Sequence, residues 1–395
     1  MGITLGRVFG TEVRAHWTWV PIIAFIAVIF GIELTSGGDG FASAGLAWGA
    51  AVATGVLVFV SVTAHELAHV WAARRYGRQL PVVVVQLLGG PFVMEVKPES
   101  AAEELRIALA GPVLSLVLTV LCGIAGGAIE FGPFSDAPDP VQAIGFVAFM
   151  VAVFNTLLLV INLLPGYPMD GARALHAVVW NVTGNERVAT MTAIRIGRYV
   201  GIVLIGVGLG SMVFFDPFLG ISLVIAGWMV MNSSRFMDRR IGLQELLAGL
   251  HAGDALDGDP GRVPPQLTLD VFAGEYLGER NGGAAMVERG DDLVGLIGAT
   301  QISRIPARSW PRTHTEDAMV PIAQVPTVQA DTDLWSALET LDRVRLDAVL
   351  VATGGGGTSL LTRRSAAQLV HEKAEERRRQ LMSLVPAKRG RFRGR

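Results

Sequence analysis

Cysteine is almost absent: Cys122 is the only one in 395 residues, and it lies in an apolar run. Neither an intrachain disulfide framework nor a thiolate metal site can be assembled from it. Charge is scarce too. Asp, Glu, Lys and Arg make up 17% of the chain against 51% hydrophobic residues, and mean hydropathy is +0.46. A purely soluble protein carries more charge than this. The formal net charge of -2 lacks the basic excess of a nucleic-acid binder, so no nucleic-acid partner is expected. The first apolar segment, about His16 to Ile32, is followed by no convincing small-residue cleavage site. It is read as a retained span, with a signal sequence as the weaker alternative.

Long apolar runs are what the chain has in abundance. Six are predicted to span a bilayer: Trp17 to Ile32, Leu46 to Arg74, Leu105 to Ile129, Val141 to Leu164, Ile196 to Phe215 and Phe218 to Asn232. The tight Asp216-Pro217 turn makes the last two a helical hairpin. Basic residues alternate with these runs. Arg7 and Arg14 precede the first, Arg74, Arg75, Arg78, Lys97 and Arg106 follow the second, Arg173, Arg187, Arg195 and Arg198 follow the fourth, and Arg235, Arg239 and Arg240 follow the sixth. The intervening loops carry acidic residues and no Lys or Arg. The positive-inside rule then predicts a multi-pass protein of the cytoplasmic membrane with both termini in the cytoplasm.

Within the second run, Thr63-Ala64-His65-Glu66-Leu67-Ala68-His69 contains a His-Glu-x-x-His motif. On a helix, His65 and His69 share one face and can reach one metal ion, with Glu66 beside it as a base. Three titratable groups inside a span are expensive, and metal ligation with catalysis supplies a reason for them. From Ala47 to His65 the helix climbs about 27 Å at 1.5 Å per residue. The hydrocarbon core is about 30 Å thick, which puts His65 just inside the cytoplasmic boundary. A catalytic zinc usually takes three protein ligands and leaves one position open. Asp170 is the best third candidate, because Pro165 and Pro168 break the fourth helix at the same membrane face. His176 is the competing candidate. Asn162 is read either as a contact to substrate backbone or oxyanion or as a cap on the broken helix.

His65-Glu66-x-x-His69, followed by Asn162-x-x-Pro165-x-x-Pro168-x-Asp170-Gly171, resembles the site-2 protease family of intramembrane zinc metalloproteases over about residues 1 to 240. The resemblance implies His65, His69 and Asp170 as ligands of one Zn2+ and Glu66 as catalytic acid/base. It implies hydrolysis of a peptide bond within or near the transmembrane segment of a single-span membrane protein. An anti-sigma factor or a signal-peptide remnant fits such regulated intramembrane proteolysis. Ala110-Gly111-Pro112-Val113-Leu114-Ser115 resembles another element of the family, which usually has Asn where this chain has Ser115, so no role is assigned to Ser115. Two other classes fit the motif residues: a metal transporter, and an inactive protein that binds membrane segments.

Leu80 to Leu88 is rich in β-branched residues, and Gly89-Gly90 and Pro91 to Val96 follow. A β-hairpin at the cytoplasmic membrane surface is predicted, either holding unwound substrate by strand addition or plugging the bundle. From about residue 241 to 385 the composition becomes that of a separate domain. Two blocks offset by about 60 residues each read helix, strand, strand, helix, which suggests a duplication. They resemble a tandem cystathionine-β-synthase (CBS) pair, such as some site-2 proteases carry. Gln301 and Ser365 stand where such domains commonly present Asp to a ribose. A packing or homodimerisation module is therefore preferred to a nucleotide site. Residues 386 to 395 form a basic tail expected to be disordered, with attraction to anionic lipid as the minority reading. The predicted fold class is a six-span α-helical membrane domain with a membrane-surface hairpin, followed by a cytoplasmic α/β tandem CBS-type domain.

Overall fold

The protein is described from a computed structural model, which covers residues 2–36, 41, 43–78, 80–86, 98–134, 137–256, 261–277, 283–290, 292–344, 346–353 and 357–384. The chain divides into two units, Met1–Asp238 and Arg239–Arg395.

The first unit opens with a hairpin too short and mixed in composition to stand out among the apolar runs. Strand β1 (Gly2–Val8) pairs antiparallel with β2 (Thr11–His16) across a turn in which Phe9 has φ 50° and Gly10 φ 73°. In β2, Thr11, Val13 and Ala15 face inward while Glu12, Arg14 and His16 are half-buried. Hydrogen bonds to Glu12 from Arg14 Nε (2.9 Å) and Thr4 Oγ1 (3.0 Å) hold its carboxyl below the usual range. Then come helices α1 (Trp19–Ser36) and α2 (Ala44–Arg75), strand β3 (Val82–Val85), and helices α3 (Ala101–Glu130), α4 (Asp139–Asn162), the short α5 (Asp170–Thr183), α6 (Glu186–Phe214) and α7 (Pro217–Leu247). Among the described residues, six of these helices are long and apolar enough to cross a membrane, all but α5.

Strand β3 falls within the β-branched run, but its partner is β2, which it meets in parallel from Glu12↔Val82 to Ala15↔Val85. Val83 and Val85 thereby join Val13 and Ala15 on buried faces, and the Trp19 indole donates to the Val85 carbonyl at 3.2 Å. The second arm foreseen for the hairpin, Pro91 to Val96, lies outside the described residues. Helix α7 also exceeds its expectation, running past Asn232 through Arg235, Arg239 and Arg240. These arginines are good helix formers, so loss of hydropathy there marks no end of the helix.

Helix contacts in a bilayer rest on close packing, which small residues permit. The α6–α7 hairpin illustrates this. A Cβ built on Gly208 would stand 2.7 Å from the Gly220 carbonyl oxygen, and one on Gly201 2.8 Å from that of Gly227. Glycines seven residues apart on both helices thus form a seam on which the two backbones touch. Asp216 Oδ1 accepts from the Leu219 N–H at 2.7 Å and caps the start of α7.

The second unit repeats one motif. Strand β4 (Gly261–Val263), helix α8 (Leu269–Glu275), strands β5 (Ala284–Arg289) and β6 (Asp292–Gly298) and the single-turn α9 (Ala299–Ile302) form the first copy. After α10 (Thr315–Ala318) and β7 (Val320–Pro321), the second copy is β8 (Thr327–Gln329), α11 (Leu334–Val344), β9 (Ala348–Thr353), β10 (Gly357–Thr362) and α12 (Arg363–Leu384). In both copies the first strand runs parallel to the second and the second antiparallel to the third. The offset is about 65 residues. This is the tandem CBS-type architecture.

Its strands are apolar on both faces for a reason. Ala285 and Val287 pack with Leu269 and Phe272 of their own copy, and Val349 and Val351 with Leu334 and Leu341 of theirs. The alternate residues Ala284, Met286, Ala348 and Leu350 meet in one shared layer between the copies. Leu341, fully buried, joins α11 to β9. Leu341→Ala is expected to cost about 2–5 kcal/mol, read as a lower urea midpoint for loss of amide protection in β9; an unchanged midpoint would contradict this packing.

Candidate metal centre

Helix α2 carries His65 and His69 one turn apart, with 2% and 1% of their surfaces exposed. Their Nε2 atoms lie 3.3 Å from each other. Asp170, the first residue of α5, brings Oδ2 to 3.2 Å from both. It is 4% exposed. The chain reaches it by ending α4 at Asn162 and folding back through the proline-rich turn, and Gly171 is required there. A Cβ at Gly171 would stand 2.3 Å from the Leu163 carbonyl oxygen.

Helix α3 backs the two histidines with residues spaced four apart. The Ile107 carbonyl accepts from His69 Nδ1 at 2.7 Å, so Nδ1 carries the proton and Nε2 keeps its lone pair. Ser115 Oγ lies 2.8 Å from His65 Nδ1, placed to accept from an Nδ1–H there. Between them Gly111 lies flat against both rings. A Cβ there would be 2.3 Å from His69 Nε2 and 2.5 Å from His65 Nε2. Such partners fix ring orientation in metal sites generally.

The donor set fits zinc. Ligand atoms about 2.0–2.1 Å from a tetrahedral Zn2+ are about 3.3 Å apart along the edges of the tetrahedron. The three separations here are 3.2, 3.2 and 3.3 Å. Two neutral imidazoles and one carboxylate occupy one face of that figure. Among the described residues this is the only group of three or more His, Cys, Asp or Glu side chains spaced to hold a metal.

The remaining candidates separate clearly. Glu66 is 8% exposed on α2 beside His65, and its carboxylate makes no hydrogen bond among the described residues. Asn162 ends α4 half-buried, and its side chain likewise makes none. His176 is held elsewhere: Nδ1 is 2.6 Å from Glu104 Oε2 and Nε2 3.0 Å from Thr190 Oγ1. Arg173, read from sequence as a loop charge, is instead 3% exposed on α5, with Nε 4.0 Å from Glu104 Oε1. Helical phase explains the difference, since Asp170, Arg173 and His176 recur at three-residue steps on one face. Glu104 of α3 thus binds the helix that carries Asp170. In the second unit, Gln301 is buried with both amide atoms unpaired among the described residues, and the Ser365 hydroxyl is engaged by Thr362 at the start of α12.

The profile of peptidase family M50 matches residues 53–207, which include both histidines and the aspartate. The Rip3 protein of Mycobacterium tuberculosis is 31% identical over 340 residues, covering 86% of this chain and 85% of its own length. The chain belongs to peptidase family M50, the site-2 protease family. The zinc metalloprotease MJ0392 of Methanocaldococcus jannaschii is 27% identical over 352 residues, covering 89% of this chain and 91% of its own. The solved site-2 protease from Methanocaldococcus jannaschii covers 60% of this chain and 95% of its own, with 23% identity and a TM-score of 0.38. As a member of M50, the protein is a metalloprotease.

Sequence reading missed Ile107 and Glu104, and it gave Gly111 and Ser115 no part in the metal centre. Their signal is the stripe itself, a glycine and a serine four apart inside an apolar helix, with a carboxylate at its start. Gly111→Ala is expected to abolish metal binding, because the methyl group occupies the space of the ligand atoms. Ser115→Ala is expected to lower zinc affinity about 10–100-fold. Chelator competition on purified protein measures both, and wild-type affinity in Gly111→Ala would rule out the packing described.

Proposed function

We propose that the protein is an intramembrane zinc metalloprotease that hydrolyses a peptide bond within or near the transmembrane segment of a single-span membrane protein. The observation that carries the reading is the convergence of His65, His69 and Asp170 at tetrahedral edge lengths, beside a buried Glu66 with no structural partner. His65, His69 and Asp170 hold the Zn2+. When bound, the metal supplies a Lewis acid that polarises the scissile carbonyl.

The chain's own residues do the rest. Glu66 accepts a proton from the attacking water and delivers it to the leaving amide nitrogen. Burial of the site limits competing water, the Ile107 carbonyl keeps His69 in the tautomer whose Nε2 is free, and the Ser115 hydroxyl orients the His65 ring through Nδ1. Asn162, at the mouth of the turn that delivers Asp170, contacts substrate backbone. The reading extends to a cytoplasmic-membrane location with both termini cytoplasmic, supported by the alternation of basic loops. Anti-sigma factors and signal-peptide remnants are substrates of suitable chemistry, and the CBS-type unit serves packing or homodimerisation.

Glu66→Gln is expected to retain stoichiometric zinc and to lose about 10²–10⁴-fold in cleavage rate. Metal analysis and cleavage of a co-expressed single-span protein check the two halves separately; normal cleavage by this variant would sink the mechanism. Asp170→Ala is expected to lose both zinc and activity, and full metal occupancy in that variant would remove Asp170 from the ligand set.

A further inference from the structure

A long apolar groove of about 610 Å³ runs along the membrane domain. One wall is α2 from Leu46 to Ala64, the other is α4 from Pro140 to Val151, and Leu118 and Cys122 of α3 form the floor. The lining residues of each wall recur at three- and four-residue steps, as one face of a helix must. As first and third of three consecutive spans, α2 and α4 run the same way. Both lead to the metal centre, α2 through His65 and α4 through Asn162 to Asp170.

Three observations identify the occupant. The first is length: Leu46 to Ala64 rises about 27 Å at 1.5 Å per residue. That is nearly the whole hydrocarbon thickness of about 30 Å, more than the one leaflet that a lipid tail fills, and α4 walls about 16 Å of it, from Pro140 to Val151. The second is destination: the α2 wall ends at Ala64, next to His65, and α4 continues past Val151 to Asn162 and the turn that carries Asp170. The third is Asn155, one turn beyond Val151 on the same stripe of α4. It is 1% exposed, and its Nδ2 donates to the Val151 carbonyl at 2.8 Å. Its Oδ1 is buried and accepts from nothing among the described residues. An orphan acceptor at membrane depth costs several kcal/mol. Lipid tails have no N–H to offer it, and an intact helix has already spent its own. A peptide unwinding ahead of the metal centre has free N–H groups.

We propose that the α2–α4 groove seats the transmembrane helix of the substrate, and that Asn155 receives a backbone N–H where that helix begins to unwind. The proposal rests on the protease reading and adds the route by which a membrane-embedded bond reaches the site. Side chains on one face of the guest helix fill the groove, its axis follows α2 and α4, and its inner end arrives between the ligand-bearing helices.

The test uses the full chain with Glu66→Gln in phosphatidylcholine nanodiscs. The probe is a labelled single-span peptide with a leucine–alanine core of about 21 residues. A photoreactive benzoylphenylalanine replaces Leu57 or Ile144 in the groove, or Val203 on the outer face of α6 as control. Peptide adducts at Leu57 and Ile144 at least ten-fold above Val203 are expected. Ala148→Trp, which fills the groove, should cut the Leu57 adduct ten-fold, and Val203→Trp should leave it unchanged. Equal adducts at all three positions, adducts to lipid alone, or adducts to a second copy of the chain overturn the groove. In the chain that keeps Glu66, Asn155→Leu should raise KM for the peptide with zinc content intact; an unchanged KM removes Asn155 from the proposal. Cleavage of the same peptide by the chain with Glu66 is scored separately. Cleavage without groove adducts overturns the groove alone, and groove adducts without cleavage overturn the protease reading alone.

Discussion

Everything in the membrane unit answers to one constraint: three donor atoms from segments about a hundred residues apart must meet within 3.3 Å in a place where water cannot correct an error. Two helices cannot do this by themselves. Helix α3 acts as the plate against which the site is assembled, touching each imidazole with a different partner and leaving room for the ligand atoms where Gly111 has no side chain. A residue with any side chain at that position pushes on both ligands at once.

The same plate also fixes the helix bearing the carboxylate. Glu104 stands one turn before Ile107 and takes up His176 and Arg173 of α5, so the histidine helix and the aspartate helix are registered against a common reference. A buried ionic group of this kind contributes little net stability, because desolvation offsets its attraction. What it contributes is register. Sliding α5 along α3 by one residue would take His176 away from the Glu104 carboxylate. Breaking such a pair is costly even though forming it gains little.

The parts legible in the sequence were those whose physics is local. Apolar runs gave the six long helices, a four-residue spacing gave the histidine pair, and two prolines before Asp170 marked the turn that brings the third ligand in. What stayed hidden depended on neighbours remote in sequence. Ser115 looked like a departure from a pattern until its hydroxyl was found against His65. Arg173 looked like a loop charge because a charge count ignores helical phase. Strand β3 was visible as a β-branched run, yet its partner β2 lies some seventy residues earlier and is too short and mixed to announce itself. The duplication in the second unit was visible because its strands repeat, and its offset came out a few residues short because the brief first strand β4 carries little apolar signal to align on.

The layer shared by the two CBS-type copies makes each dependent on the other. Ala284 and Met286 of one copy pack in this layer with Ala348 and Leu350 of the other, beside Val320 and Ile322, so half of this unit on its own would expose much of a greasy face to solvent. A single copy expressed alone would need a second chain to cover that face. In the tandem arrangement the covalent connection makes the association intramolecular and independent of concentration.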